Sequence, residues 1–267
     1  MPVTVSFTFT NKELKQQPFD ALYEQLGPLD IKVLEDYQRG VTTHVAAKKR
    51  NTQRNLQALI DGRYIVHHEK YIDAIIKAAQ PGDAGASPLE LDFEANWPDE
   101  GQFLPPKGEE PTSRGDEAYA PDRYRQDMFD GYTFVFYEQK QFETLLAPVT
   151  NGRGKAVYRE VVPDVTTVDD FVRYVKEIAG EKGLGEFEDG SEGKGVVVVR
   201  YNLVKGFGSE FFAKFGRDVA LRLDHRLIEQ NEFLDAILGC DASVLRRRLE
   251  FEMSGIVAPP PTAGMCG

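Results

Sequence analysis

The chain has 267 residues and a mass of 30.0 kDa, enough for one large domain or two of ordinary size without a metal or disulfide staple. Its composition, 41% hydrophobic and 28% charged, excludes wholesale disorder, and its two cysteines exclude a disulfide-built secreted scaffold. The formal net charge of −11 argues against a surface that coats DNA, and no apolar run approaches the roughly 20 residues of a membrane helix. A globular intracellular protein is therefore expected.

Residues 1–80 predict a small α/β unit with the element order β-α-β-β-α-β-α. The first strand alternates polar and apolar residues over 3–9, and the first helix runs from about Pro18 to Leu26, where Gly27 and Pro28 end it. The remaining elements are predicted, in order, as strands at 31–34 and 43–47, a helix at 52–60, a strand at 64–66 and an amphipathic helix at 69–79.

A proline-rich acidic linker is predicted between residues 81 and 127. It contains seven prolines, which cannot continue helices or central strands, and it carries twelve acidic residues against four basic ones. Apolar residues recur within it, and their density predicts that part of the linker packs on a domain surface. They are Leu89, Leu91, Phe93, Trp97, Phe103 and Leu104.

Residues 128–252 predict a second α/β unit with the same element order. Its strands are expected at 132–137, 155–161, 195–202 and 226–228, and its helices at 141–146, 209–221 and 232–238. An extra helix at 167–178 and a glycine-rich acidic loop at 186–195 separate the second and third strands. Residues 253–267, with three consecutive prolines near their start, predict a disordered tail.

The two units also share sequence. DGRYIVHHEKYIDAII at 61–76 aligns with DHRLIEQNEFLDAIL at 224–238, with one residue of slack between strand and helix. Together with the matched element order, this favours duplication of one α/β domain.

Signatures of catalysis are missing. No dinucleotide fingerprint, P-loop, nucleophile elbow or zinc-protease motif occurs, and the four histidines are not grouped in sequence. The pair His67-His68 fits a helix-entry loop better than a metal site, and the acidic loop at 186–195 lacks the spacing of an EF-hand. We therefore predict a non-enzymatic protein with no metal and no cofactor, and keep a small α/β enzyme as the weakest alternative.

The helix that begins near Thr52 has unusual charges at its N-terminus. Such an end carries partial positive charge and normally attracts acidic residues, yet Lys48, Lys49 and Arg50 precede it and Arg54 lies in its first turn. Free backbone N–H groups beside a guanidinium make a phosphate site, and a solvated basic turn is the equally weighted alternative.

Hydroxyl groups near the end of the first strand are candidates for the same site. Ligands of open parallel sheets collect beyond the carboxyl ends of the strands, which favours Thr8 and Thr10 over Thr4. The alternative is that these threonines simply suit a strand.

The run T-x-R-x-L-x-x-L-I-D-G-R-Y-I-V, from Thr52 to Val66, resembles the second helix and fourth strand of BRCT repeats. More narrowly, the segments THVAAKKRNTQRNLQALIDGRYIV, DGYTFVFYEQKQFE, GEFEDGSEGKGVVVVR and ALRLDHRLIEQNEFLDAIL resemble the tandem BRCT region of fungal members of the nibrin family. The resemblance spans about residues 3 to 250. It implies an α/β fold of two BRCT repeats, each a four-stranded parallel sheet flanked by helices, joined by the long proline-rich acidic linker.

The resemblance also implies a binding site in the first repeat. In phosphopeptide-binding BRCT pairs, a hydroxyl at the end of strand one and a basic residue in the second helix hold the phosphate. The implied phosphate-binding residues are Thr8, Thr10, Thr52 and Arg54, the implied groove residues are Asn51 and Leu56, and the adjoining basic patch is Lys48, Lys49 and Arg50. The Ser-Gly pair of the family is missing here, so its hydroxyl position falls anywhere from Phe7 to Thr10.

Nibrin-family proteins are adaptors of the double-strand-break response, so the implied function is a phosphopeptide-binding adaptor module in the nucleus. Its expected partners are phosphorylated damage-response proteins, and also the nuclease and ATPase subunits of the repair complex, through family segments that this sequence does not contain. Direct DNA binding is not expected from so acidic a chain. The alternative is a structural scaffold that packs on a neighbouring forkhead-associated domain without recognising phosphate.

Overall fold

The structure, a computed structural model, describes residues 3–82, 85–107, 112–180, 195–201 and 209–249. Within these ranges there are two α/β units, each built on a sheet of parallel strands. A segment of short helical turns connects them. The predicted acidic loop before residue 195 and the predicted tail at 253–267 lie outside the described residues. No helix in the described ranges has both the length and the apolar character that crossing a membrane requires.

The first unit contains a four-stranded parallel sheet, as predicted, and its strands lie in the order β2-β1-β3-β4. Its strands are β1 (Thr4–Phe7), β2 (Lys32–Leu34), β3 (His44–Ala47) and β4 (Tyr64–His67). Its helices are α1 (Asn11–Leu14), α2 (Pro18–Leu26), α3 (Gln53–Ile60) and α4 (Lys70–Ala79). Helix α1 is an addition to the prediction, although its capping box between Thr10 and Glu13 is a recognisable sequence signal.

The second unit repeats this arrangement with a parallel sheet in the order β6-β5-β7. Its strands are β5 (Tyr132–Phe136), β6 (Lys155–Tyr158) and β7 (Gly195–Val199). Its helices are α7 (Gln139–Asn151), α8 (Val168–Ala179), α9 (Ser209–Leu223) and α10 (Glu232–Gly239). The extra helix predicted between the second and third strands is α8.

The fourth strand predicted at 226–228 is reduced to a single parallel bridge between Val199 and Ile228. The Ile228 amide donates to Val198 at 3.1 Å, and the Arg200 amide donates to Ile228 at 2.7 Å. The chain leaves the sheet at once, because the Glu229 amide donates to the Glu232 carboxylate at 2.7 Å where α10 begins. The strand position is therefore as predicted, but the turn into α10 prevents further pairing.

Helix α7 is longer than predicted, because it continues through Pro148, after the predicted end at Leu146. An interior proline costs a helix about 3 kcal/mol. Leu145 and Val149, on either side of it, are completely buried in a core that both units share, and this burial offsets the cost.

That shared core is organised around α3. Residues Asn55–Ile60 of α3 are all buried, and its apolar side chains belong to one cluster with residues of α7 and α10. Leu56, Leu59 and Ile60 meet the second unit there, so α3 is a helix of the first unit and also part of the interface.

The segment between the units carries α5 (Pro88–Leu91), α6 (Phe93–Asn96) and three 3-10 turns, Glu100–Phe103, Asp116–Tyr119 and Arg123–Arg125. Its aromatic residues contact both units. Trp97 and Phe103 pack against the core of the first unit, whereas Tyr119 is buried in the shared core. Most of the segment predicted as a linker is therefore fixed on the two units.

Glu100 anchors this segment to the first unit. Its Oε1 accepts hydrogen bonds from His44 Nε2 at 3.1 Å, the Tyr71 hydroxyl at 3.1 Å and Trp97 Nε1 at 3.0 Å. Burial opposes ionisation, but hydrogen bonds from His44, its own backbone and Trp97 outweigh it and lower the pKa of Glu100 from 4.5 to about 2.

We expect Glu100→Gln to lower the free energy of unfolding at neutral pH by about 2 kcal/mol, since it removes a charged acceptor. Because the folded pKa lies below the unfolded one, the stabilisation by the carboxylate is complete above about pH 4.5 and is lost as the pH falls towards 2. Urea denaturation followed by circular dichroism should show the difference between wild type and variant shrinking over that interval. A difference independent of pH would contradict the assignment.

Asp61 connects the two units at the other end of α3. Its buried carboxylate accepts from the Tyr37 hydroxyl at 2.6 Å and from Asn151 Nδ2 at 3.2 Å, and pairs with Arg39 Nε at 3.1 Å. The following residue, Gly62, has a φ of +63°, and an added Cβ would meet the Asp122 carbonyl oxygen at 3.3 Å. The Asp-Gly pair in the repeated sequence therefore has a packing role at the interface.

Replacing Asp61 with Asn should lower the free energy of unfolding by about 2 kcal/mol, because Tyr37, Arg39 and Asn151 lose an anionic acceptor. Chemical denaturation measures the change. The exposed Asp127→Asn is the matched control and should leave stability within about 0.5 kcal/mol of wild type. Equal effects of the two substitutions would show that the Asp61 contacts do not stabilise the interface.

Candidate functional site

The carboxyl ends of the parallel strands bring the predicted basic residues to one edge of the first sheet. Strand β1 ends at Phe7, and β3, its neighbour in the sheet, ends at Ala47, directly before Lys48. Helix α3 begins near the same edge, with Thr52 as its N-cap. This is the position at which open parallel sheets bind ligands.

Arg54 lies over the end of β1. Its Nη1 donates to the Phe7 carbonyl oxygen at 2.6 Å, and its Nη2 pairs with the Asp36 carboxylate. The Arg54 side chain is 28% exposed and that of Asp36 is 78% exposed. One side of the guanidinium is thus fixed by the fold, while its counterion comes from a residue that is free to move into solvent.

The N-terminus of α3 supplies further donors. Thr52 Oγ1 accepts from the Asn55 amide at 3.3 Å, and the Leu56 amide donates to the Thr52 carbonyl oxygen at 2.9 Å. The amides of Gln53 and Arg54 precede any intrahelical acceptor and lie at the positive end of the helix. The Thr52 hydroxyl keeps its proton available for donation while it caps the helix.

Lys48 is paired with Glu13, the second residue of the Thr10 capping box. The Thr10 hydroxyl donates to Glu13 Oε2 at 2.7 Å, and the Thr10 amide donates to the same oxygen at 2.8 Å. Hydrogen bonds from Lys48 and Thr10 lower the pKa of Glu13 to about 2, so this carboxylate stays charged under ordinary conditions. The hydroxyl of Thr10 is therefore already used by α1.

Thr8 has a different environment. Its amide donates to Ala46 at 3.2 Å, continuing the β1–β3 ladder by one residue. Its Oγ1 is buried and has no hydrogen-bond partner among the described residues, and the same is true of Ser6 Oγ. Of the two candidate hydroxyls, Thr8 is the one whose bonding capacity is unused.

Two of the predicted site residues are not available to a ligand. Arg50, assigned to the basic patch, is 4% exposed; it donates to the Pro105 carbonyl oxygen at 2.6 Å and to Asp116 at 2.8 Å, and it stacks over the Tyr119 ring. Leu56, assigned to the groove, is 3% exposed within the shared core. Neither residue is therefore the surface contact for a ligand that the sequence predicts. Arg50 binds the segment between the units, and Leu56 packs in the core that both units share.

Lys48, Lys49 and Asn51 remain on the surface. The loop that carries them is shaped by Asn55, whose Nδ2 donates to the carbonyl oxygens of Lys49 at 2.6 Å and Arg50 at 3.0 Å. The surface cations at this edge of the sheet are therefore Lys48, Lys49 and Arg54.

Asn51 also lines a cleft of about 350 Å³ between the two units. The cleft begins at the loop before α3 and extends over the second unit, where its lining residues are Gln141, Arg200, Tyr201, Glu229, Gln230 and Asn231. Arg200 and Glu229 face each other with 3.6 Å between Nη1 and Oε1. A groove with polar walls therefore adjoins the cationic site.

Sequence reasoning missed Asp36, Glu13, Asn55 and the residues of the second unit that line the cleft. The T-x-x-E capping pattern could have placed Glu13 at the start of a helix. The other residues carry no local signal, because their roles depend on contacts between distant parts of the chain.

The fold and the site define a pair of parallel α/β units with a cationic site at the edge of the first sheet and a cleft between the units. Comparison with known proteins indicates the protein family to which this arrangement corresponds. Residues 123–248 match the family model described as the second BRCT domain on Nijmegen syndrome breakage protein. Residues 123–248 therefore carry a BRCT domain of the nibrin kind, which confirms the resemblance predicted from the sequence for the second unit.

Two solved structures also match the chain, at low sequence identity and low TM-score. The structure of the S. pombe Nbs1-Ctp1 complex has 11% identity and a TM-score of 0.33, over 89% of this chain and 60% of that chain. The crystal structure of yeast Rtt107 and Mms22 has 12% identity and a TM-score of 0.25, over 90% of this chain and 46% of that chain. The chain thus spans about half of each of these proteins, and the family match alone carries the assignment.

Proposed function

We propose that this chain is a non-enzymatic adaptor module that binds phosphorylated Ser/Thr peptides in the first unit. The observation that carries the proposal is the position of Arg54, which is fixed by the Phe7 carbonyl at the end of β1 and, among the described residues, is otherwise paired only with the exposed Asp36. The fork of a guanidinium matches the oxygens of a phosphate, which carries nearly two negative charges.

Binding exchanges one anion for another. A phosphate group displaces Asp36 from Arg54 and takes donors from the Gln53 and Arg54 amides and the Thr52 hydroxyl, with Lys48 beside it. The Thr8 hydroxyl, which has no hydrogen-bond partner among the described residues, is the proposed further donor. Hydrogen bonds to a charged group contribute about 1.5–3 kcal/mol each, which is enough to make binding depend on phosphorylation.

The peptide continues from the phosphate into the cleft beside Asn51. Because the walls of this cleft come from the second unit, both units take part in recognition. Arg200, Glu229 and Asn231 offer donors and acceptors for the peptide backbone and for polar side chains.

The match to the nibrin family supports a role for this activity in DNA repair. We propose that the partners are phosphorylated proteins of the DNA double-strand-break response in the nucleus. Contacts with nuclease and ATPase subunits of a repair complex are proposed only through segments outside this sequence.

A structural scaffold is the second candidate, and one observation favours it. Two of the three surface cations at this edge, Lys48 and Arg54, are paired with carboxylates of the chain itself. If these pairs never open, the units serve as a platform for a neighbouring domain, and binding does not distinguish phosphorylated from unmodified peptides.

Arg54→Glu should abolish phosphate-dependent binding, because the fork is lost and a carboxylate faces the phosphate. Fluorescence anisotropy with a phosphoserine/phosphothreonine peptide library and its unphosphorylated twin measures this effect. Arg217→Glu, at an exposed position of α9, makes the same charge change in the second unit and should bind like wild type.

Two results would contradict the phosphate site. One is unchanged affinity of Arg54→Glu for the phosphorylated library, and the other is equal binding of both libraries by wild type. Circular dichroism of each variant establishes that the fold is intact before affinities are compared.

Asp36→Asn should tighten binding of the phosphorylated library by up to about five-fold, since exposed ion pairs are worth about 0.2–1 kcal/mol and phosphate no longer competes with this carboxylate. The same anisotropy titration measures it. Asp30→Asn, in the preceding turn, is the control and should have no effect. Weaker binding by Asp36→Asn would show that Asp36 positions Arg54 and does not compete with the ligand.

A further inference from the structure

Residues 90–94 form an exposed ridge on the segment between the units, in which acidic and large apolar side chains alternate. All five residues are exposed, with Leu91 at 72% and Phe93 at 55% of their surface accessible. Glu90, Asp92 and Glu94 separate and flank them. Isolated apolar side chains are common on protein surfaces. Here two large ones lie two residues apart, and every other residue of the stretch is acidic, so burial in the core of this protein does not explain them.

The 90–94 ridge is held rigidly. Ser87 and Glu90 form a capping box at the start of α5, and Asp92 caps α6 through the Ala95 amide at 3.1 Å. The Asn96 side chain donates to the carbonyl oxygens of Pro88 at 3.0 Å and Asp92 at 2.8 Å, joining the two helices. The conformation is therefore set before any partner arrives, which lowers the entropic cost of binding.

An aromatic ladder keeps Phe93 on the outside. Phe93 stacks on Trp97 with 5.1 Å between ring centroids, and Trp97 contacts the buried Tyr71 edge-on at 6.5 Å. The indole is also fixed by its hydrogen bond to Glu100. Phe93 thus rests on a ring that is already packed on the core, and its outer face is left for another molecule.

The charge of the surroundings indicates what kind of molecule this is. From residue 78 to residue 106 the sequence contains six acidic residues and no Lys, Arg or His. Formation of the capping box lowers the pKa of Glu90, so this charge persists. A complementary surface therefore needs apolar side chains for Leu91 and Phe93, and cations for the carboxylates and for the face of an aromatic ring.

We propose that the 90–94 ridge is a docking site for a basic amphipathic segment of a partner protein, independent of the phosphate site. Leu91 and Phe93 contact the apolar face of the segment, and Glu90, Asp92 and Glu94 pair with its Lys or Arg residues.

The probe is a fluorescein-labelled peptide of about 14 residues, built from leucine and lysine at helical spacing, together with a scrambled isomer that has no apolar face. Anisotropy should show that Leu91→Ser with Phe93→Ser weakens binding by about tenfold. Glu94→Gln, at a position without a described hydrogen bond, should weaken it less and reduce its salt dependence. Val165→Ser with Leu221→Ser, two equally exposed apolar positions of the second unit, is the matched control.

Three outcomes would overturn the proposal. They are equal binding by the ridge double variant and wild type, equal binding of the scrambled isomer, or sedimentation velocity that shows a dimer of wild type which the double variant lacks. Arg54→Glu should bind the probe like wild type, so failure of the phosphate site and failure of this site are distinguishable.

Discussion

The burial of α3 between the two units is the constraint on which the rest of the structure depends. The apolar side chains of α3 fill a core shared with α7 and α10, at about 1.5–3 kcal/mol for each large residue. Because the body of the helix is fixed in this way, its N-terminus is held beside the end of β1, where the Arg54 guanidinium reaches the Phe7 carbonyl oxygen. The same packing sets the walls of the cleft, since Asn51 precedes α3 and the opposite wall belongs to the second unit.

The cationic edge of the first sheet carries its own counterions. Glu13 comes from a capping box and Asp36 from the loop after β2, and each pairs with a cation whose charge would otherwise crowd a positive helix end. Any anion that binds at this edge must therefore displace the carboxylate of Glu13 or Asp36 from its cation. A group with nearly two charges and three acceptor oxygens has an advantage in this exchange, whereas a peptide carboxylate does not.

The connecting segment is a structural part of both units. Arg50 and Glu100 fix it at two points, through the Pro105 carbonyl and Asp116 in one case and through His44, Tyr71 and Trp97 in the other. Such anchoring explains why short helical turns persist in a proline-rich acidic stretch. It also explains why the 90–94 ridge keeps its apolar side chains in solvent, since the residues on either side of it are committed to the core.

The sequence by itself determined the α/β class, the repeated element order and the start of α3 at Thr52, because hydrophobic periodicity, capping residues and glycine are local signals. The parallel pairing of the strands was implied by the family resemblance. The sequence also placed Arg54 and Lys48 at one edge, since the carboxyl ends of parallel strands share an edge. Only the tertiary structure decided that Arg50 and Leu56 are buried, that Asp36 and Glu13 neutralise the cations, and that the fourth strand of the second unit is a single bridge. These features depend on contacts between residues far apart in the chain, and the free energy of such contacts is set by the packing of whole elements, which no local pattern records.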